Sequence, residues 1–357
     1  MRAAVTLGPG RIAIEERPEP VPKAGEALVR VETVGICGSD LHTYHGTHPY
    51  ATFPRIQGHE LSGRVVGFGA GETGVPREPR EPAPSGSRGT EGGIGIGERV
   101  AVEPLLSCGV CYPCRHGRRN CCVRLAVLGA HVDGALTELI AVPTGSLYPT
   151  GDLDAELAAL VEPVSIGVQA VSRGEVTAED QVVVFGAGPI GQAVTLAAVD
   201  RGARVLVVDK LPSRLALARR LGAERTAEAD AGDLAAVVAD WTNGDGPGVT
   251  VDAVGAPAVI RACVDFVASA GRVVIVGLSD KEVSLPVLSF TRKELTIVGS
   301  RNNAGRFGEA VSLVQRHRDR VAALITHRYE LAQTAEAIEF ADKHPAEAEK
   351  VLIRVAT

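Results

Sequence analysis

The chain has 357 residues, long enough for two or three domains with cores of their own. It is 45% apolar, 22% charged and 4% aromatic, an ordinary globular composition that speaks against a disordered or fibrous chain. Thirty-seven basic against 43 acidic residues leave a net charge of −6, so the global balance gives nucleic acid no electrostatic footing. The first residues carry Arg2 and then no sustained apolar core, so a secretory leader is not expected and a cytoplasmic setting is.

Up to about residue 150, short β-type runs alternate with glycine and proline: Glu26–Val34, Leu61–Phe68, Arg99–Val102 and Leu136–Val142. Strands this short with such regular turn signals predict a small β-rich barrel or sandwich. Between them, Gly71 to Gly97 holds eight glycines, four prolines and no aromatic residue. Such a segment buries too little apolar surface to offset its ordering entropy, which predicts an inserted surface loop; a lid or oligomer arm is the functional alternative.

After Asp154 the texture changes. Gln181–Phe185, Arg204–Val208, Val249–Val254 and Arg272–Val276 are continuous apolar runs, separated by helical stretches at Ile190–Arg201, Ser213–Leu221, Leu234–Trp241 and Ala258–Ala268. This alternation predicts a doubly wound parallel sheet covered on both faces, an α/β arrangement. The longest apolar stretch, Val182 to Val199, is interrupted by Gly186, Gly188, Pro189 and Gly191 and falls short of a membrane span, so no membrane partner is expected. From about Phe290 a tail with a helical pattern, Arg306–Gln315, and a strand, Lys350–Val355, is expected to return to the first domain. The expected division is therefore 1–150, 151–290 and 291–357.

Five of the seven cysteines fall between Cys108 and Cys122, a clustering typical of metal ligands rather than of disulfides that staple distant segments. Cys108, Cys111 and Cys114 at two-residue spacings can wrap one face of a zinc ion, and Cys122 or Cys121 can supply the fourth thiolate of a closed structural tetrahedron in a lobe of about residues 103–122. An iron–sulfur cluster is the competing reading. The basic run Arg115 to Arg119 inside this loop is short and lacks interleaved aromatics, so no nucleic-acid partner is expected.

Gly186-Ala187-Gly188-Pro189-Ile190-Gly191 follows an apolar run and opens a helical pattern. In a strand–loop–helix setting these glycines allow the tight turn, close approach of a pyrophosphate and close helix packing. Asp209 ends the next apolar run, where a carboxylate accepts hydrogen bonds from an adenosine ribose and repels a 2′-phosphate, favouring NAD over NADP. Pro189, Ile190, Lys210 and Arg214 are further candidate cofactor contacts, with the charge of Lys210 a counterweight to the NAD assignment.

Three further groups stand far apart: Cys37-Gly38-Ser39-Asp40-Leu41-His42, then Gly58-His59-Glu60, then Glu162-Pro163. In this order, with the four-cysteine loop and the glycine loop after them, nearly the whole chain resembles the zinc-containing medium-chain alcohol dehydrogenases. The resemblance implies a GroES-like catalytic domain, split between the two chain ends, around a central Rossmann domain. It implies two zinc ions per chain. Cys37 and His59 would hold the catalytic one, with Glu60 or Glu162 as third ligand, directly or through water. Cys108, Cys111, Cys114 and Cys122 would hold the structural one, leaving Cys121 a spare thiol. It further implies reversible hydride transfer between an alcohol carbon and the nicotinamide ring, with Ser39 taking the hydroxyl proton and His42 passing it toward solvent.

Within the family, the chain is most similar to the polyol and sugar-acid dehydrogenases of sorbitol, threonine and galactonate type. Arg301 and Asn302, in the tail Gly299-Ser300-Arg301-Asn302-Asn303, are candidate substrate contacts, and Tyr44, His45 and His48 are expected near the pocket. A small-molecule polyol or sugar acid is the expected substrate, and a homotetramer or homodimer the expected assembly. The alternatives are a zinc-free quinone or enone reductase of the same superfamily and a non-enzymatic NAD-binding regulatory scaffold.

Overall fold

The computed structural model describes residues 1–71, 93–230 and 232–355. Most of the Gly71–Gly97 segment, and with it the inserted-loop expectation, lies outside the described residues. The chain forms two compact units, one of Met1–Glu162 with Phe307–Thr357, the other of Pro163–Arg306. The exchange points fall later than the change of texture at 154 and the expected end at 290. Asp154 accepts a 2.8 Å hydrogen bond from the Leu157 N–H and so caps the helix Ala155–Ala159, which packs on strands of the first unit. At the other end, the strand Thr296–Gly299 extends the sheet of the second unit past residue 290.

In the first unit the long strand Glu26–Gly35 is the organiser. Glu60–Phe68 pairs with it antiparallel along most of its length. On its other edge it takes Leu139–Pro143 over its first half and Lys350–Arg354 over Thr33–Gly35. This last pairing is what builds the chain's tail into the first unit. Val29, Val31, Leu61, Val65, Val100 and Ile353 form part of a continuous core, each contributing about 1.5–3 kcal/mol by burial.

The second unit holds a six-stranded parallel sheet in the order Arg225–Glu228, Arg204–Asp209, Gln181–Phe185, Val249–Asp252, Arg272–Ile275, Thr296–Gly299. Val182, Val183 and Val184 are all fully buried, as strands covered on both faces require. The helices Pro189–Asp200, Pro212–Leu221 and Pro257–Phe266 each begin one residue before the apolar pattern, at a proline whose fixed φ and missing N–H suit a first turn. Strand order reverses between Gln181–Phe185 and Val249–Asp252, the point at which doubly wound sheets take ligands. Among the described residues, no helix is long and apolar enough to cross a membrane.

Candidate active site

The cysteine lobe groups the sulfurs of Cys108, Cys111, Cys114 and Cys122 within 4.8 Å of one another. Cys111 Sγ lies 3.3 Å from Cys114 Sγ and 3.8 Å from Cys122 Sγ. A zinc–sulfur bond of about 2.3 Å places the corners of a tetrahedron about 3.8 Å apart, so the donor set fits that ion. Backbone N–H groups of Cys108 and Arg124 donate to Cys122 Sγ at 3.3 Å. The Val110 N–H, with Arg124 next in weight, pulls the Cys108 thiol down to about 5, whereas burial and the neighbouring thiols push Cys114 up to about 11. Cys121 is not a member of this group.

The second group, Cys37, His59 and Glu60, also brings its ligand atoms within 4.8 Å of one another, all inside the first unit. Sheet register accounts for half of this: Gly35 at the end of the long strand pairs with Glu60, the first residue of the facing one. Cys37 follows that strand end and caps the short helix Gly38–Tyr44. Asp40 ties the group together. Its Oδ2 accepts the Cys37 N–H at 2.9 Å, its Oδ1 accepts the Gly58 N–H at 3.3 Å, and Oδ1 lies 3.9 Å from His59 Nδ1. Asp40 thus faces the Nδ1 side of the ring at ion-pair rather than hydrogen-bond distance, and Nε2 is the ring nitrogen on the side of Ser39. A thiolate, an imidazole and a carboxylate make a three-ligand set of catalytic zinc type, with a position left for substrate.

The charges at this site act on one another. Burial pushes the His59 imidazolium down, yet Asp40, with Cys37 and Glu162, carries it well above the ordinary histidine value. Burial raises the Asp40 carboxyl against the opposing pull of His59 and the two N–H donors. Glu162, in the first turn of the helix Val161–Arg173, is buried and pushed up to about 7, with Glu60 adding to the rise and His59 and Lys350 opposing it. Glu162 is not in the 4.8 Å group but lies within electrostatic reach of both His59 and Glu60.

Ser39 Oγ lies 3.5 Å from His59 Nε2, the ring atom that could bind a metal. His42, one turn along the helix, is exposed, with Nδ1 3.4 Å from Thr47 Oγ1. Tyr44 and His45 are a correction. The Tyr44 hydroxyl donates to Glu339 Oε1 at 3.3 Å and His45 Nε2 pairs with Asp342 at 3.1 Å, which commits both to the helix Thr334–Lys343 rather than to a pocket. His48 stays closer to the site, where the charges of His42, Asp40 and His59 act on it. Asp40 stood in the quoted motif without a role, and its position three residues after a capping Cys37 was the available signal. Lys350, whose Nζ lies 2.6 Å from Glu60 Oε2, had none, being 290 residues away in sequence.

In the second unit, Gly186 to Gly191 joins the strand Gln181–Phe185 to the helix Pro189–Asp200, with Gly188 at the N-cap, Pro189 at the first position and Ile190 after it. A Cβ on Gly191 would collide with the Gly186 carbonyl, so the loop closes only with glycine there. Above Gly188, among the described residues, the Arg214 guanidinium lies 3.7 Å from where a Cβ would stand, leaving a positively edged cradle that suits a pyrophosphate. Asp209 Oδ2 accepts the Ala187 N–H at 2.6 Å and Oδ1 the Leu211 N–H at 2.9 Å. The carboxylate is thereby fixed at the loop and still has lone pairs for ribose hydroxyls. Lys210 instead pairs with Asp230 at 3.1 Å, both side chains exposed. Arg301 and Asn302 follow the strand Thr296–Gly299, with Asn302 at φ 47° in the left-handed region.

Comparison with known proteins agrees with both halves of this arrangement. Residues 23–152 match the alcohol dehydrogenase GroES-like domain and residues 189–316 the zinc-binding dehydrogenase family. The chain belongs to the zinc-containing medium-chain alcohol dehydrogenases, oxidoreductases with a GroES-like domain and a Rossmann domain. An uncharacterised zinc-type alcohol dehydrogenase-like protein of Haemophilus influenzae is 35% identical, over 94% of each chain. The L-galactonate-5-dehydrogenase of Escherichia coli is 33% identical, over 95% of this chain and 94% of that one. Among solved structures, an Escherichia coli alcohol dehydrogenase (rspB) complexed with NADH superposes with a TM-score of 0.87 at 32% identity, covering 99% of each chain.

Proposed function

We propose that this chain is an NAD-dependent dehydrogenase that oxidises a secondary hydroxyl of a polyol or sugar acid to a ketone, reversibly, with two zinc ions per chain. The observation that carries the reading is the Cys37–His59–carboxylate group with Ser39 Oγ beside it. Cys37 and His59 are the metal ligands, and Glu60 or Glu162 supplies the carboxylate. The four sulfurs of the cysteine lobe hold the second ion, in a site with no position for substrate. Zinc at the Cys37 site supplies Lewis-acid stabilisation of negative charge on a substrate oxygen.

The protein's own groups then have distinct tasks. Asp40 holds the His59 ring, so that Nε2 is presented in one orientation. Ser39 takes the proton of the substrate hydroxyl, and the exposed His42 on the same helix passes it to solvent. Asp209 receives the ribose hydroxyls of the cofactor, and its charge disfavours a 2′-phosphate. Arg214 sits where the pyrophosphate enters the glycine loop. Arg301 and Asn302 serve the substrate's remaining hydroxyls or carboxylate. The likeness to a galactonate dehydrogenase supports a polyhydroxylated substrate.

The test is formation of NADH by the purified protein with polyols, sugar acids, L-threonine and simple alcohols, with NADP⁺ in parallel. Turnover of one polyol or sugar acid with NAD⁺ is the expected result. Equal rates with NADP⁺ would overturn the role given to Asp209. Turnover of simple alcohols alone would overturn the substrate class.

A further inference from the structure

Two loops of the first unit start beside the Cys37–His59 pair and meet through aromatic rings. The first, residues 47–51, hangs on the helix that carries Ser39: the Thr47 and His48 N–H groups donate to the His42 carbonyl oxygen at 2.9 and 3.1 Å. The second, residues 129–134, lies against Gly58, the neighbour of His59. The Ala135 N–H donates to the Gly58 carbonyl oxygen at 2.9 Å. A Cβ on Gly129 would stand 2.7 Å from the Gly58 nitrogen and one on Gly134 2.3 Å from its oxygen, so glycine at both positions permits this approach.

Between the loops, the Tyr50 and His131 rings lie with centroids 4.5 Å apart and planes 30° apart. His48 meets Tyr50 edge-to-face, with centroids 5.8 Å apart. Both imidazoles are tied to backbone, since His48 Nδ1 accepts the Tyr50 N–H and His131 Nδ1 the Val127 N–H, each at 3.3 Å. Tyr50 is nevertheless 55% exposed. A large ring is thus held in place by two others without being covered by them. The charges of Asp40 and His59 act on His48, which puts that end of the trio beside the Cys37–His59 pair.

We propose that Tyr50, backed by His131 and His48, is a substrate-binding ledge that takes the carbon chain of a polyol or sugar acid and sets the preference for such chains over short alcohols. The proposal rests on the dehydrogenase reading above and names a part of its substrate site. The face of an aromatic ring is its negative region, and C–H groups on hydroxyl-bearing carbons are polarised positive, so the two attract. A ring fixed beforehand loses little freedom when a ligand covers it. His48 supplies the polar complement. With Nδ1 accepting, its neutral ring carries the proton on Nε2 and can donate to a substrate hydroxyl or carboxylate oxygen. A short alcohol held by its oxygen has no further hydroxylated carbons to lay on the ledge.

The test uses zinc-loaded protein with ring-labelled tyrosine, whose five residues give a simple NMR spectrum in which Tyr50 is the signal lost in Tyr50→Phe. With NADH present to prevent turnover, sorbitol or galactonate is expected to shift the Tyr50 signal saturably, and 2-propanol is not. In steady-state assays, Tyr50→Ala is expected to lower the ratio of kcat/KM for the best polyol or sugar acid to that for 2-propanol about tenfold, whereas Tyr50→Phe, which keeps the ring, retains the ratio. A Tyr50 signal that stays still while a polyol or sugar acid is oxidised, or an unchanged ratio in Tyr50→Ala, overturns the ledge alone. A saturable shift without oxidation of any polyol or sugar acid upholds the ledge and overturns the dehydrogenase reading.

Discussion

Four sulfurs from fifteen consecutive residues make the cysteine lobe, whereas the Cys37 group draws on a strand end, a short helix, the start of a second strand and a lysine near the far end of the chain. The first is closed and local: a loop can bring Cys108, Cys111, Cys114 and Cys122 together with little help from the rest of the fold, and its four donors leave no position for substrate. The second exists only because three strands are in register around Gly35. A local site can carry stability, since its ion offsets the entropy of ordering its own loop. A site assembled from distant segments can carry chemistry, because each group can be set by a separate neighbour, as Asp40 faces His59 and Lys350 pairs with Glu60.

The largest contrast should appear on removing one ligand from each site. Cys37→Ser is expected to lower kcat/KM by about a thousandfold or more, the several kcal/mol that a Lewis acid supplies, with the melting temperature nearly unchanged. A steady-state assay beside a thermal scan checks this, and a large fall in melting temperature would blur the comparison. Cys114→Ser should do the reverse. Loss of the buried sulfur is expected to release one ion per chain and to remove several kcal/mol of stability, read as metal content by elemental analysis and as early thermal unfolding.

Asp40→Asn sharpens the point about orientation. The amide keeps the shape but not the charge that faces His59 Nδ1, so metal affinity at the Cys37 site should fall about 10–100-fold while the cysteine lobe keeps its ion. Unaltered affinity would mean that the ring is held by packing alone. The smallest effect concerns a purely structural carboxylate. Arg328, with Arg354, holds the Glu156 carboxyl below the usual carboxylate range. A lowered folded-state value contributes stability above the unfolded one and loses it as pH falls through the folded one. Glu156→Gln should therefore lower the melting temperature slightly at neutral pH, and the gap from wild type should close at acid pH. A gap of constant size from pH 7 to pH 3 would show that the charge is not what matters.

Much of the architecture was legible because periodicity and punctuation report it directly. Arg99–Val102 and Leu234–Trp241 lie where their patterns put them, and the glycine loop falls between a strand and a helix. Two of the strands that left no trace are of another kind. Arg225–Glu228 has no apolar alternation and Thr296–Gly299 is half-exposed; each lies at an edge of the parallel sheet, where one neighbour's backbone decides the structure more than the side chains do. Tyr44 and His45 sit next to the Cys37 motif in sequence but turn to the helix Thr334–Lys343, a partner that local pattern could not reveal.

The sequence alone determined what short-range physics controls: two textures of chain, a four-thiolate loop, a glycine turn ahead of a helix and an acid at the end of the next strand. The tertiary structure decided which distant groups meet. It placed Cys122 rather than Cys121 with the other three sulfurs, put Asp40 behind His59, and set Lys350 against Glu60 across a glycine. The reason is that a buried charge must find its partner wherever the fold brings one, and sheet register, not sequence distance, brings Lys350 to Glu60.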